Sequence, residues 1–107
     1  MNYTLLVTCP PDSPVSHHAL AFAQALLEQK HHIARVFFFA EGVKHAHHQQ
    51  SIAQQWQTLV QQHQLPATVC SGSAGQHGLD ETNCLLPIAG MGDWLMATLN
   101  SDHLVSF

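Results

Sequence analysis

Apolar and polar positions fall along the chain in short blocks, and the block lengths predict the elements. Residues 2–8 are a compact apolar run with β-branched and aromatic members, closed by Cys9-Pro10-Pro11-Asp12. Two prolines cannot continue a ladder, so a short buried strand followed by a loop is predicted. Ser13-Pro14 is a helix entrance, with Ser13 as N-cap and Pro14 at the first helical position. Val15, Ala19, Phe22, Ala23 and Leu26 then recur at helical spacing to about residue 30. Residues 32–40 contain Val36-Phe37-Phe38-Phe39, too short and bulky for anything but a strand buried on both faces, and Glu41-Gly42 breaks it.

Residues 43–50 read as a polar loop leading to a helix over 51–63, where Ile52, Trp56, Leu59 and Val60 share a stripe. Leu65-Pro66 closes that helix, and residues 67–70 are a third strand. Ser71-Gly72-Ser73-Ala74-Gly75-Gln76-His77-Gly78 is expected to be the most flexible stretch. Residues 80–86 fit a turn or two of helix with Asp80 as cap, residues 92–100 a last helix with Trp94, Leu95 and Leu99, and residues 103–107 a terminal strand. Strands alternating with helices predict an α/β fold with right-handed crossovers: a three-layer sandwich whose mostly parallel sheet of four to five strands is flanked by helices. With no repeat, linker or second-domain boundary, residues 1–107 are expected to form a single domain.

Composition narrows the function. Hydrophobic residues make up 46% of the chain and charged residues only 9%, against a usual charged share of about 25%. A disordered tail is excluded, and so little charge points to surfaces reserved for partners. The net charge is −4, and Lys30, Arg35 and Lys44 are the only Lys or Arg residues, too few to grip a phosphate backbone. Direct nucleic-acid binding is therefore not expected. Ten histidines make the charge pH-sensitive, and protonating all of them would reverse its sign. No apolar run approaches the roughly 18 residues of a membrane span, and the first residues lack a basic start and a cleavage site. No membrane association and a cytoplasmic location are expected. The cysteines, Cys9, Cys70 and Cys84, are odd in number, which argues against a disulfide framework.

In open α/β sheets, reactive groups gather beyond the carboxyl ends of the strands. Three features fall there: Cys9 after the first strand, Glu41-Gly42 after the second and Cys70 after the third. Cys70 precedes a Gly/Ser-rich stretch whose backbone N–H groups favour an anion, and such dipoles favour a thiolate without any basic side chain. The alternative for Cys70 is a packed, buried thiol, the commonest fate of a free cysteine. For Cys9 packing is favoured, because Pro10 and Pro11 remove neighbouring donors. Cys84 has no partner pattern, and no Cys-x-x-Cys occurs. His45 and His48 have the spacing to face one way on a helix, but no third ligand lies nearby, so the histidines are expected to be solvated and to bind no metal. Neither a nucleophile elbow nor a phosphate or dinucleotide loop is present, and no cofactor is expected. Glu41 and His77 are candidates to shape a site, but no pattern makes either an acid or a base.

Several stretches carry a resemblance: Leu6-Val7-Thr8-x-Pro10, Phe22-Ala23-Gln24-Ala25-Leu26, Val36-Phe37-Phe38-x-x-Glu41-Gly42-Val43, Val69-Cys70, Asp80-Glu81-Thr82, Gly90-x-Gly92 and the closing strand to Phe107. In this order they cover essentially the whole chain, which resembles the DsrE/TusD family of small sulfur-relay proteins, its TusD-type members most closely. The resemblance implies a DsrE-like sandwich and a persulfide relay, with Cys70 at the position of the family's active cysteine. It implies assembly as a homo-oligomer or with DsrF/TusC-like and DsrH/TusB-like sister subunits, a TusA-like sulfur donor and a TusE/DsrC-like acceptor. The sulfur would then enter 2-thiouridine formation in tRNA or the oxidation of stored sulfur. Between Cys70 and Gly90, and after Gly42, the chain is shorter than the TusD pattern. Three readings follow in order: a sulfurtransferase subunit carrying sulfur on Cys70, a non-catalytic scaffold subunit in which Cys70 is packed, and a histidine-based metal binder.

Overall fold

The first apolar run forms β1 (Asn2–Val7), and the Ser13-Pro14 entrance opens α1 (Val15–Glu28). Pro14 already has helical angles, and the hydroxyl of Ser13 accepts the Val15 N–H at 3.3 Å, so the entrance works as the sequence predicts, one residue later. The aromatic run forms β2 (His32–Phe38), followed by a 3-10 helix (Ala40–Ala46) and α2 (Ser51–His63). Then come β3 (Ala67–Cys70), α3 (Ser71–Gln76), the two-residue β4 (Ile88–Ala89), α4 (Met91–Leu99) and β5 (His103–Ser106). The computed structural model describes residues 1–107, the side chains of Met91 and Asp93 excepted.

All five strands join one sheet in the order β4-β3-β2-β1-β5, and every neighbouring pair is parallel. Successive strand residues face opposite sides, and the pair Phe37 and Phe38 shows what lies on each. Phe38 meets Trp56 of α2 edge to face at 5.2 Å, whereas Phe37 lies against Trp94 of α4 at 6.3 Å. With α1 packed beside α2, helices cover both faces and make three layers. The expected α/β sandwich is the observed one. Leu5, Val7, Val36, Phe37, Phe38, Val69 and Trp56 are fully buried, each contributing about 1.5–3 kcal/mol by removal from water.

Three expectations are corrected. Residues 71–76 form a helix where a flexible loop is predicted: two glycines and two serines are weak helix formers, but Ser73 and Ala74 are buried against the sheet end, and packing overrides propensity. Gly78, with φ +73°, then ends the segment in the left-handed conformation that glycine adopts freely. Residues 43–50 are not a polar loop throughout, since the 3-10 helix buries Val43, His45 and Ala46. Residues 80–86 form hydrogen-bonded turns instead of a helix, with Asp80 capping through its Oδ1 acceptor for the Thr82 N–H at 2.8 Å.

Candidate functional site at the carboxyl ends of the strands

The segments leaving β1, β2 and β3 are tied to one another by short-range contacts. The Phe39 N–H donates to the Val7 carbonyl at 3.0 Å, carrying the β2 end over β1. One turn of backbone later, with the Gly42 N–H donating to the Phe39 carbonyl at 2.9 Å, Gly42 sits directly on the Val7 carbonyl. A Cβ there would lie 1.9 Å from the Val7 oxygen and 2.6 Å from its carbon, so glycine alone fits. Glu41 beside it is exposed.

His45 comes next and is fully buried, contrary to the solvated histidine expected there. The Trp56 indole N–H donates to His45 Nδ1 at 3.3 Å, and His45 Nε2 lies 3.0 Å from the Cys9 carbonyl. An indole nitrogen only donates, so Nδ1 accepts and the ring proton sits on Nε2, which donates to Cys9. Burial pushes His45 below the ordinary imidazole pKa; the Cys9 carbonyl opposes this and nearby His17 adds to it. The neutral ring thus bolts the Cys9 loop to α2. The flanking apolar residues Val43 and Ala46 are the one sequence signal that His45 faces inward.

Cys70 closes β3, paired with Ala89 of β4, and is the N-cap of α3 with extended backbone angles of φ −62° and ψ 124°. It is 5% exposed. The hydroxyl of Ser73, three residues on, accepts the Ala40 N–H at 3.0 Å and so joins α3 to the β2 end. Sequence reasoning missed this contact, because serine in a Gly/Ser run carries no mark of burial. His77 is half-buried at the end of α3. An open cavity of about 550 Å³ lined by Asp80, Glu81, Thr82 and Ile88 lies along β4, the neighbour of the Cys70 strand.

The other two thiols are half-buried. Burial pushes Cys9 above the ordinary cysteine pKa. Burial also raises Cys84, whose thiol donates to the Leu86 carbonyl at 3.1 Å; that bond opposes the rise and the Asp80 charge adds to it. A raised pKa disfavours the thiolate needed for exchange at both positions. His47 and His48 stack at 4.8 Å, but among the described residues no group of three or more His, Cys, Asp or Glu side chains is gathered to hold a metal ion. Among these residues no helix is long and apolar enough to cross a membrane.

These features define a class: parallel α/β sandwiches that hold a cysteine at the carboxyl end of a central strand. Residues 1–107 match the DsrE/DsrF-like family, and the chain belongs to it. It is 32% identical to the protein named sulfurtransferase TusD homolog of Vibrio cholerae serotype O1, over 100% of this chain and 98% of that one. It is 33% identical to sulfurtransferase TusD of Proteus mirabilis, again over 100% of this chain and 98% of the relative. The Vibrio alignment runs over 128 positions against 107 residues here, so that relative carries residues this chain lacks. The crystal structure of the YchN protein from E. coli superposes over the whole of both chains with a TM-score of 0.86 at 20% identity, a likeness of fold.

Proposed function

We propose that this chain is a sulfurtransferase subunit of a sulfur-relay system, with Cys70 as the sulfur carrier. The carrying observation is the position of Cys70 at the β3 end, in a chain whose full-length relatives are named sulfurtransferase TusD. The Cys70 thiolate attacks the outer sulfur of a donor protein's Cys-S-SH. A sulfur–sulfur bond forms at Cys70 as the donor's breaks, and the donor cysteine leaves as a thiolate. An acceptor thiolate then attacks the outer sulfur of Cys70-S-SH and Cys70 leaves in turn. Sulfane sulfur moves with no net oxidation, so the exchange needs no metal or organic cofactor.

A TusA-like donor and a TusE/DsrC-like acceptor are the partners this reading implies, in the cytoplasm, with no contact to nucleic acid. Assembly with further copies or with DsrF/TusC-like and DsrH/TusB-like subunits is supported by α4. That helix exposes Leu95, Met96 and Leu99, and Leu104 of β5 is exposed on the same side of the sheet.

Incubation with a persulfidated donor protein, followed by intact-mass spectrometry, tests the carrier. The expected result is a gain of one sulfur atom in the wild type and none in Cys70→Ser. The burial of Cys70 favours a second reading, a scaffold subunit with a packed thiol. No gain in the wild type would establish that reading instead, and a gain that survives Cys70→Ser would move the carrier to Cys9 or Cys84.

A further inference from the structure

Register and alternation place Cys70 on one face of the sheet. Phe37 of β2 pairs with Thr68 of β3, so the two share a face, and Cys70, two residues after Thr68, shares it too. It is the α4 face, because Trp94 packs on Phe37 at 6.3 Å. The 3-10 helix and α2 lie on the other face, where His45 and Trp56 meet Phe38, and α3 is tied to that side through Ser73 and Ala40. On the Cys70 face the chain crosses β3 within a few residues. Cys70 pairs with Ala89 of β4, α4 starts two residues later, and by Trp94 the chain stands over β2, so residues 90–94 pass over the end of β3. Long side chains on a helix lean toward its N-terminus, which here turns the Trp94 indole back toward the Cys70 end of the sheet. The indole nitrogen is buried, and among the described residues no group, the Cys70 thiol included, accepts its hydrogen. Buried donors are seldom left unpaired in folded proteins.

We propose that the Trp94 indole N–H is the donor that receives the outer sulfur of a Cys70 persulfide. Adding that sulfur lengthens the Cys70 side chain by one S–S bond of about 2 Å and places a negative charge at its tip. A hydrogen bond to an ionised acceptor is stronger than one between neutral groups. Loading therefore satisfies a donor that the free thiol leaves unpaired, which favours the loaded state. Trp94 is a positioning residue that acts on the carried sulfur and not on the attacking thiol. The inference rests on Cys70 being the carrier.

The experiment uses the full chain, isotope-labelled on nitrogen, loaded with sodium tetrasulfide and desalted. The Cys70 thiolate takes the terminal sulfur of the tetrasulfide and trisulfide leaves; peptide mass mapping follows Cys9, Cys70 and Cys84 separately. The chain has two tryptophans, hence two indole N–H signals in a proton–nitrogen correlation spectrum, and Trp94→Phe assigns them. Loading is expected to move the Trp94 signal downfield and to leave in place that of Trp56, which is bonded to His45 on the other face. Trp94→Phe keeps an aromatic ring and removes the donor. In this variant the amount of Cys70 persulfide at equilibrium with glutathione should fall about tenfold, as for loss of a hydrogen bond to a charged group. Alkylation of the unloaded Cys70 thiol by iodoacetamide should keep its rate. A Trp94 signal that stays put while mapping finds the sulfur on Cys70 would overturn the donor and leave the carrier standing, as would equal loading in the variant. An unloaded thiol whose rate also changes several-fold in the variant would show a packing role instead. A wild type that takes no sulfur at Cys70 would remove carrier and donor together.

Discussion

His45 accepts the indole N–H of Trp56 at 3.3 Å, and both side chains are fully buried. With its other nitrogen on the Cys9 carbonyl, one neutral ring satisfies a donor on α2 and an acceptor after β1. His45→Leu keeps the volume and strands both partners. Each buried unpaired polar group costs about 1–3 kcal/mol, so a loss of about 2–4 kcal/mol in urea unfolding is expected.

The same ring gives stability a pH dependence of known sign. Burial lowers the folded pKa of His45 below its unfolded value of 6.5, so the unfolded chain binds the proton first as the pH falls. Its contribution is complete above the unfolded pKa and declines as pH falls through the folded one. In urea titrations from pH 8 to 5, the wild type should lose stability below about pH 6.5 more steeply than His45→Leu. Parallel curves would show that the other histidines account for the whole slope.

Gly42 is predicted to tolerate no side chain. Alanine would drive its Cβ into the Val7 carbonyl, which is backbone and cannot rotate away. A destabilisation of about 1–3 kcal/mol is expected for Gly42→Ala in thermal or urea unfolding, as for other overpacked interiors. Gly92→Ala, with open space at its Cβ, is the control.

The α4 surface predicts association. Leu99 is 71% exposed, Met96 61% and Leu95 52%, and contiguous apolar surface of this kind marks an interface. Met96→Lys with Leu99→Lys should weaken association at least tenfold in sedimentation equilibrium, with thermal stability little changed, because neither side chain is in the core. A wild type that stays monomeric at high concentration would remove the homo-oligomer.

Most of the architecture is written in local pattern. The Val36–Phe39 run can only be a strand buried on two faces, the Ser13-Pro14 entrance fixes where α1 begins, and Ile52, Trp56 and Leu59 mark the inner face of α2. Periodicity and punctuation are properties of neighbouring residues, so the sequence alone determined β1, α1, β2, α2, β3, α4 and β5 closely and placed Cys70 at a strand end. Tertiary structure decided what depends on residues far apart in the chain. His45 became a buried acceptor because α2 brings Trp56 to it, and residues 71–76 became a helix because Ala40, 33 positions before Ser73, supplies an N–H to hold it. The burial of Cys70 belongs to the same category, since no local feature of Val69-Cys70-Ser71 records what packs above a strand end.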